Sequence, residues 1–253
     1  MPTNLRFLAV WRRNFLVWKK LAIPSLLGNL ADPMIYMFGL GYGLGGLLPQ
    51  VGGTSYIAFL AAGTLCASTM NAASFEALYS AFSRMHVQKT WEAIMNAPLS
   101  LDDILAGELL WAATKATLSG AAILIVVTML GFVHDAQALW VLPLIFLTGL
   151  TFAALGLCVT AVAASYDFFM YYFTLFVTPM MLLSGVFFPL EQLPPALQGA
   201  AQVLPLTHAV AVARPLLLGQ PLQSVAMHLG VLALIASIAY LVAVTLTRRR
   251  LLR

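Results

Sequence analysis

Residues 225–253 read VAMHLGVLALIASIAYLVAVTLTRRRLLR, an apolar run that ends in a cluster of arginines. The run holds no Asp, Glu, Lys or Arg before residue 248. A helix needs about 20 apolar residues to cross the hydrocarbon core of a bilayer, so this segment is long enough to span a membrane. Basic residues at the end of a span stay on the cytoplasmic side. The segment predicts a transmembrane helix with an internal C-terminus.

The other basic residues follow the same rule. Of the 13 Lys and Arg residues, 11 lie in the first twenty residues, one central loop and the last six residues. These are Arg6, Arg12, Arg13, Lys19, Lys20, Arg84, Lys89, Arg248, Arg249, Arg250 and Arg253. With 61% hydrophobic and 9% charged residues the composition excludes a water-soluble domain. Basic residues at span ends also account for the net charge of +4 without a nucleic-acid partner.

Apolar runs of sufficient length predict an all-α polytopic membrane protein with six transmembrane helices. The expected spans are about 26–48, 56–80, 105–132, 139–163, 168–188 and 225–247. The basic clusters place the N-terminus, the central loop and the C-terminus on the cytoplasmic side, and an even number of spans agrees with both termini lying there.

The first twenty residues form a separate segment in this interpretation. At helical spacing Phe7, Trp11 and Trp18 fall on one face, and Arg6 and Arg13 fall opposite. Such a pattern predicts an amphipathic helix that lies in the membrane interface, with the transmembrane domain at 21–253. A signal peptide is the alternative. Its apolar region would be interrupted by a proline and a glycine, and apolar sequence resumes afterwards as a full span.

Charged residues inside spans point to function, because they are costly in a bilayer. Glu76 and Glu108 fall near the ends of the second and third spans, and Lys115 lies deeper in the third. Lys115 follows Glu108 by seven residues, so both share one helix face. Two interpretations stay open: an interior ion pair that holds the spans together, or a polar wall of a translocation path.

The central loop predicts a short amphipathic helix at 90–97, since Pro98 ends it. Ser100 and Asp103 then supply a capping-box variant for the next span. Trp91 and Ile94 share a face, Met95 lies beside them and Glu92 lies at the rim. This helix is either a docking element for a partner protein or a connector on the membrane surface.

Several stretches together resemble the permeases of the ABC-2 type transporter family. They include residues 91–104 (WEAIMNAPLSLDDI), 107–116 (GELLWAATKA), 184–194 (SGVFFPLEQLP) and 204–209 (LPLTHA). The likeness extends over nearly the whole chain and is greatest to the nodulation protein J subfamily, which exports lipo-chitooligosaccharides.

The resemblance implies a permease subunit in the bacterial inner membrane rather than an enzyme. The chain has no G-x-x-x-x-G-K-[ST] motif, so a separate ATPase is expected to bind ATP and magnesium, and this chain is expected to bind no cofactor or metal. Two permeases and two ATPases would form the transporter. Trp91, Glu92, Ile94 and Met95 would couple the permease to the ATPase.

Short re-entrant helices are implied at about 194–203 and 206–218. The candidate outer gate there comprises Pro194, Pro195, Pro205, His208 and Arg214. Two alternatives remain for the function. One is export of another glycolipid, a polysaccharide or a drug; the other is a secondary transporter, although no internal repeat of the kind typical of that class is present.

Overall fold

The computed structural model describes residues 5–48, 50–133 and 135–252, and nearly all of them are helical. The α-helices are α1 Phe7–Lys19, α2 Ala22–Gly43, α3 Tyr56–Phe75, α4 Thr90–Met95, α5 Leu101–Met129, α6 Val141–Val162, α7 Phe168–Tyr172, α8 Thr178–Leu183, α9 Pro195–Ala201, α10 Pro205–Leu218 and α11 Val225–Leu251. The predicted all-α fold is confirmed. Arg253, in the C-terminal basic cluster, lies outside the described residues.

Several helices carry π- or 3-10-helical extensions. Helix α3 continues through the π-helical stretches Glu76–Ser80 and Ser83–Val87, and α7 and α8 are joined by a third, Phe173–Val177. Short 3-10 helices occur at Ala136–Trp140 and Leu190–Gln192. Each π turn adds a residue and rotates the side chains that follow it, and such turns are frequent at functional sites.

The described residues contain one piece of β structure, a small hairpin. Strands β1 (Gln50–Val51) and β2 (Thr54–Ser55) pair antiparallel between α2 and α3. The turn consists of Gly52 and Gly53, whose φ angles are 58° and 78°. Two successive positive φ angles are the requirement of a tight hairpin turn, and glycine meets it without strain.

Five helical segments in the described part of the chain are long and apolar enough to cross a membrane. They are Phe7–Gly43, Tyr56–Val87, Leu101–Met129, Ala136–Val162 and Val225–Leu251. The pair α9–α10, bent by 89°, gives a sixth if it is counted as one span. The expected span at 168–188 is a shorter helix, Phe168–Leu183. It ends early because Gly185 takes a positive φ of 73°, which a continuing helix does not allow.

The basic residues at the helix ends meet on one side of the molecule, which we call the basic end. Arg6 donates to the carbonyl of Pro98 at 2.9 Å, and Arg248 forms an ion pair with Asp102. Arg250 donates to three carbonyl groups at the end of α6, including that of Ala163 at 2.7 Å. The helix ends that the charge pattern assigns to one membrane side are therefore in direct contact.

The amphipathic helix α1 packs on α5. The indole N–H of Trp11 donates to the Thr114 hydroxyl at 3.1 Å. Gly107 lets the two helices approach closely, since a Cβ atom there would lie 2.6 Å from Val10 Cβ and 2.7 Å from the Phe7 carbonyl oxygen. Whether the domain boundary falls at residues 20 and 21, between α1 and α2, stays a prediction.

Because α1 approaches so closely, Gly107→Ala is expected to destabilise the protein by about 1–3 kcal/mol, the usual cost of overpacking. The matched control is Gly39→Ala, since a Cβ atom at Gly39 in α2 meets nothing within 4 Å. The control should be neutral or slightly stabilising, as alanine favours helix. Thermal unfolding of the detergent-solubilised variants measures both effects. Equal melting temperatures for the two variants would contradict the close packing of α1 on α5.

Candidate coupling and transport site

An arginine in the second π-helical stretch forms the centre of a buried ion-pair cluster. Arg84 donates from Nε and Nη2 to the two carboxylate oxygens of Glu108, at 2.8 and 2.5 Å. Its Nη2 also lies 2.9 Å from Glu76 Oε1. Only 12% of the Arg84 side chain is exposed. A single guanidinium therefore bridges the end of α3 and α5, with the paired geometry that arginine and carboxylate favour.

Lys115 and Trp111 complete the cluster from deeper in α5. Lys115 Nζ lies 2.7 Å from Glu76 Oε2, and the Trp111 indole N–H donates to Glu76 Oε1 at 2.8 Å. We call Glu76, Arg84, Glu108 and Lys115 the charge cluster. Its two carboxylates and two cations balance, which is the condition under which charges are tolerated inside a bundle.

Lys115 and Glu108 share a helix face but do not pair: Lys115 pairs with Glu76, and Glu108 pairs with Arg84. A shared helix face is not enough, because seven residues of helical rise separate the two backbone positions by about 10 Å. Glu76 on the neighbouring helix is closer to the lysine ammonium.

Helix α4 is joined to the charge cluster by Trp91. This side chain is 1% exposed, and its indole N–H donates to Glu108 Oε1 at 3.1 Å. The expectation that Trp91 is a surface anchor for a partner is therefore wrong in this conformation: its indole group is turned inward by that hydrogen bond.

The other predicted residues of α4 lie at or near its surface. Ile94 and Met95 are half-buried and pack against the hydrophobic core. Glu92 is exposed and pairs with Lys89, with 2.8 Å between Glu92 Oε1 and Lys89 Nζ. Ala93 and Asn96 are exposed as well. The face that remains open to a partner consists of Glu92, Ala93 and Asn96, and the coupling role of α4 stays a prediction.

A cavity of about 450 Å³ opens beside the charge cluster at the basic end. Glu76, Arg84 and Lys115 form part of its wall. The remaining lining is polar or aromatic apart from one valine: Arg13, Asn14, Val17, Trp18, Tyr79, Ser80, Ser83, Gln88, Trp111 and Tyr166. The charged residues thus hold the helices together and also border open space. The contact geometry is compatible with both interpretations drawn from the sequence.

The candidate outer-gate residues lie around α9 and α10. Pro194 precedes α9, and Pro195 and Pro205 occupy the first turns of α9 and α10. At that position the missing N–H of proline costs no helical hydrogen bond. Pro194 and Pro195 therefore mark the start of α9, and Pro205 starts α10 directly after the 89° bend between the two helices. A gating role of these residues stays a prediction.

His208 and Arg214 both lie on α10 but have different partners. The Nδ1 atoms of His208 and His228 are 2.8 Å apart, and His208 Nε2 lies 2.9 Å from the Gln202 carbonyl oxygen. Arg214 donates to the Gly185 carbonyl at 2.5 Å, and its guanidinium lies 3.6 Å from the centre of the Phe59 ring. These contacts tie α10 to α11, to α3 and to the turn after α8.

Sequence reasoning missed three residues that the structure makes prominent. The charge pattern marks Arg84 only as an orientation signal, and Trp111 is only part of a stretch that resembles the ABC-2 family. Asp32 was passed over although it lies in the first expected span. The signal for Asp32 was available, because a carboxylate in an apolar run is unusual.

Comparison with known proteins identifies the family of the chain. Residues 6–218 match the ABC-2 type transporter family model. The chain is 54% identical to nodulation protein J of Rhizobium leguminosarum bv. viciae, over 99% of this chain and 96% of the relative. It is 50% identical to nodulation protein J of Rhizobium meliloti strain 1021, over 100% and 97%. It is also 25% identical to the inner membrane transport permease YadH of Escherichia coli K12, over 95% and 94%. The chain belongs to the ABC-2 type transporter family, as a multi-pass membrane permease.

Proposed function

We propose that this chain is the permease subunit of an ATP-driven exporter that moves a lipid-linked saccharide, a lipo-chitooligosaccharide nodulation factor, across the bacterial inner membrane. The observation that carries the proposal is the link from helix α4 through Trp91 to the charge cluster. A short helix at one end of the bundle is thereby bonded to Glu108 in the first third of α5, and through Arg84 and Glu76 to Lys115 at the middle of α5. This is the connection that a permease driven by an external motor protein requires.

The substrate class rests on the relatives. The relatives that are about half identical to this chain are named nodulation protein J. Each match covers nearly the full length of this chain and of the relative. Polar and aromatic side chains around the basic-end cavity agree with a saccharide, whose hydroxyl groups hydrogen-bond and whose ring faces pack on aromatic rings.

The partner is a separate ATPase, which binds ATP and magnesium. The family resemblance implies an assembly of two permeases and two ATPases. Two copies of this chain would face each other, and each would bind an ATPase at its basic end. The positive-inside rule supports the orientation, since Arg6, Arg84 and Arg248 meet at that end.

Deletion of this chain from its native host tests the function. Cells without it should retain lipo-chitooligosaccharide and release little of it to the medium, as quantified by mass spectrometry of cell and medium fractions. Expression of the wild-type chain should restore release, and a chain with Ala93→Arg, designed to block the ATPase, should not. Normal release from the deletion strain would refute the assignment.

Topology gives an independent prediction. A reporter that is active only outside the cytoplasm should be active when it is fused at Gly52, Asp135 or Gln198. It should be silent at Lys89 or after Arg253, because basic residues beside span ends remain inside. An active fusion after Arg253 would overturn the even number of spans and the internal basic end.

A further inference from the structure

A carboxylate lies at the midpoint of α2 with no cationic partner among the described residues. Asp32 is the eleventh of the 22 residues of this helix, about 15 Å from either end at helical rise. Its side chain is exposed, and none of the ion pairs formed by the described residues includes it. The charge cluster shows the contrast, since its buried carboxylates are both paired.

Such a residue cannot face lipid in the assembled protein. An ionised side chain at the centre of a span is expensive, and those that occur face a water-filled cavity or another polypeptide. The helix face that carries Asp32 therefore borders either the translocation path or a protein surface. Asp32 is the one Asp, Glu, Lys, Arg or His residue in α2, so this constraint orients the whole helix.

Polar groups of α3 surround the same position. A niche of about 60 Å³, room for a few water-sized groups, lies between α2, α3 and α8. Its wall includes Asp32, Asn71, Tyr36 and Phe75. The Asn71 side-chain oxygen is buried and has no hydrogen-bond partner. Buried polar atoms are normally satisfied, so this oxygen calls for a donor that is not part of the described chain.

The side chains that line the niche indicate which kind of ligand could donate hydrogen bonds there. Asp32 and the Asn71 oxygen only accept hydrogen bonds, so a ligand must donate to both. The Tyr36 and Phe75 rings are 41% and 49% exposed beside them. Each ring also packs on another aromatic ring, Tyr36 on Phe187 and Phe75 on Phe173. Acceptors next to partly exposed aromatic rings suit the hydroxyl groups and apolar ring faces of a sugar. The niche is too small for a whole ring, so it takes the hydroxyl groups at one edge.

We propose that Asp32 and Asn71 form a hydroxyl-binding niche on the wall of the translocation path, which holds the saccharide part of the exported molecule at mid-membrane. The proposal rests on the proposed function. A second copy of the chain is a poorer occupant. In a twofold contact with this patch near the symmetry axis, each Asp32 would be brought close to another carboxylate.

The test uses the complete permease–ATPase complex in lipid nanodiscs and an N-acylated chitotetraose as the probe. The measured quantity is the probe concentration that gives half-maximal stimulation of ATP hydrolysis. Asp32→Ala should raise it at least about tenfold and Asn71→Ala several-fold, because hydrogen bonds to a charged acceptor are the stronger ones. Asp32→Asn, which keeps an accepting oxygen, should fall between wild type and Asp32→Ala. Ser237→Ala is the control, since this exposed hydroxyl donates only to its own helix at Ala233.

A second probe separates hydrogen bonding from general damage. With the same saccharide methylated on its hydroxyl groups, wild type and Asp32→Ala should respond at equal concentrations, because the donors are gone. If Asp32→Ala does not accumulate in the membrane, the probe concentrations for half-maximal stimulation are compared between wild type, Asp32→Asn and Asn71→Ala instead.

Three outcomes would overturn the niche. If the Asp32 and Asn71 variants need the same probe concentration as wild type for half-maximal stimulation, the niche is refuted. The proposed exporter function would not be affected by that result. No response of the wild-type complex to the acylated saccharide would refute the substrate class together with the niche. Dissociation of the two permease copies in Asp32→Ala, seen as halved mass by light scattering, would assign the residue to an interface instead.

Discussion

Lys115→Glu is expected to reduce the amount of folded permease in the membrane severely. The change replaces the ammonium 2.7 Å from Glu76 with a second carboxylate in a buried site. Removing one partner of a buried ion pair costs about 3–5 kcal/mol, because the other charge is left without compensation. That loss is a large part of the net stability of an ordinary domain. Quantitative immunoblots of washed membranes measure the effect.

Charge exchange identifies the partner. Adding Glu76→Lys to Lys115→Glu should restore part of the level, since a carboxylate and an ammonium again face each other. Recovery should be incomplete because the new lysine lies beside Arg84, which also contacts Glu76 in the wild type at 2.9 Å. The matched control adds Glu108→Lys instead. It should not restore the level, because it leaves two carboxylates together and removes the bidentate partner of Arg84.

The same variants distinguish the two roles of the charge cluster. Better recovery with Glu108→Lys than with Glu76→Lys would contradict the pairing. A normal level of Lys115→Glu protein with no export would show that the cluster serves the translocation path rather than the stability of the fold.

Local signals in the sequence predicted the helices well. The last span was expected at 225–247 and α11 is Val225–Leu251; the central helix was expected at 90–97 and α4 is Thr90–Met95. Ser100 and Asp103 form the predicted capping box. Hydropathy, proline positions and capping residues act over a few neighbours, so one sequence is sufficient to recognise them.

Contacts between helices were not predictable in this way. Eight residues separate Glu76 from Arg84, which in a regular α-helix places them about 80° apart around the axis. The two π-helical stretches change this angle and bring the side chains into contact. No residue pattern in the chain predicts a π turn. The sequence therefore places Arg84 in the basic central loop and not in a helix.

The direction of Trp91 was missed for a related reason. Amphipathic spacing shows which residues share a face but not whether that face meets solvent, lipid or the rest of the chain. The Glu108 carboxylate, 17 residues further along the chain, accepts the indole N–H and so fixes the inward direction of the Trp91 side chain. We therefore predict that the exposed face of α4, with Glu92, Ala93 and Asn96, contacts the ATPase.

Ala93→Arg is expected to uncouple export from ATP hydrolysis while the permease itself stays intact. Ala93 is exposed in α4, so the permease should insert and melt normally. A large charged side chain in the centre of a docking face disrupts complementarity, and central positions dominate interfaces. Co-purification of the ATPase should fall at least about tenfold, and export should fall to background. Ser165→Arg is the control: it adds the same charge at an exposed position in the turn between α6 and α7, and both readouts should be preserved.

Trp91→Phe separates docking from transmission along the same route. Phenylalanine keeps an aromatic ring in the buried site but loses the N–H that donates to Glu108. The exposed face of α4 is unchanged, so the ATPase should still co-purify. Export per ATP hydrolysed should fall, because α4 is no longer bonded to the charge cluster and its movement reaches α5 less directly. If Ala93→Arg and Trp91→Phe both bind the ATPase and export at the wild-type rate, α4 is only a connector and energy enters the permease elsewhere.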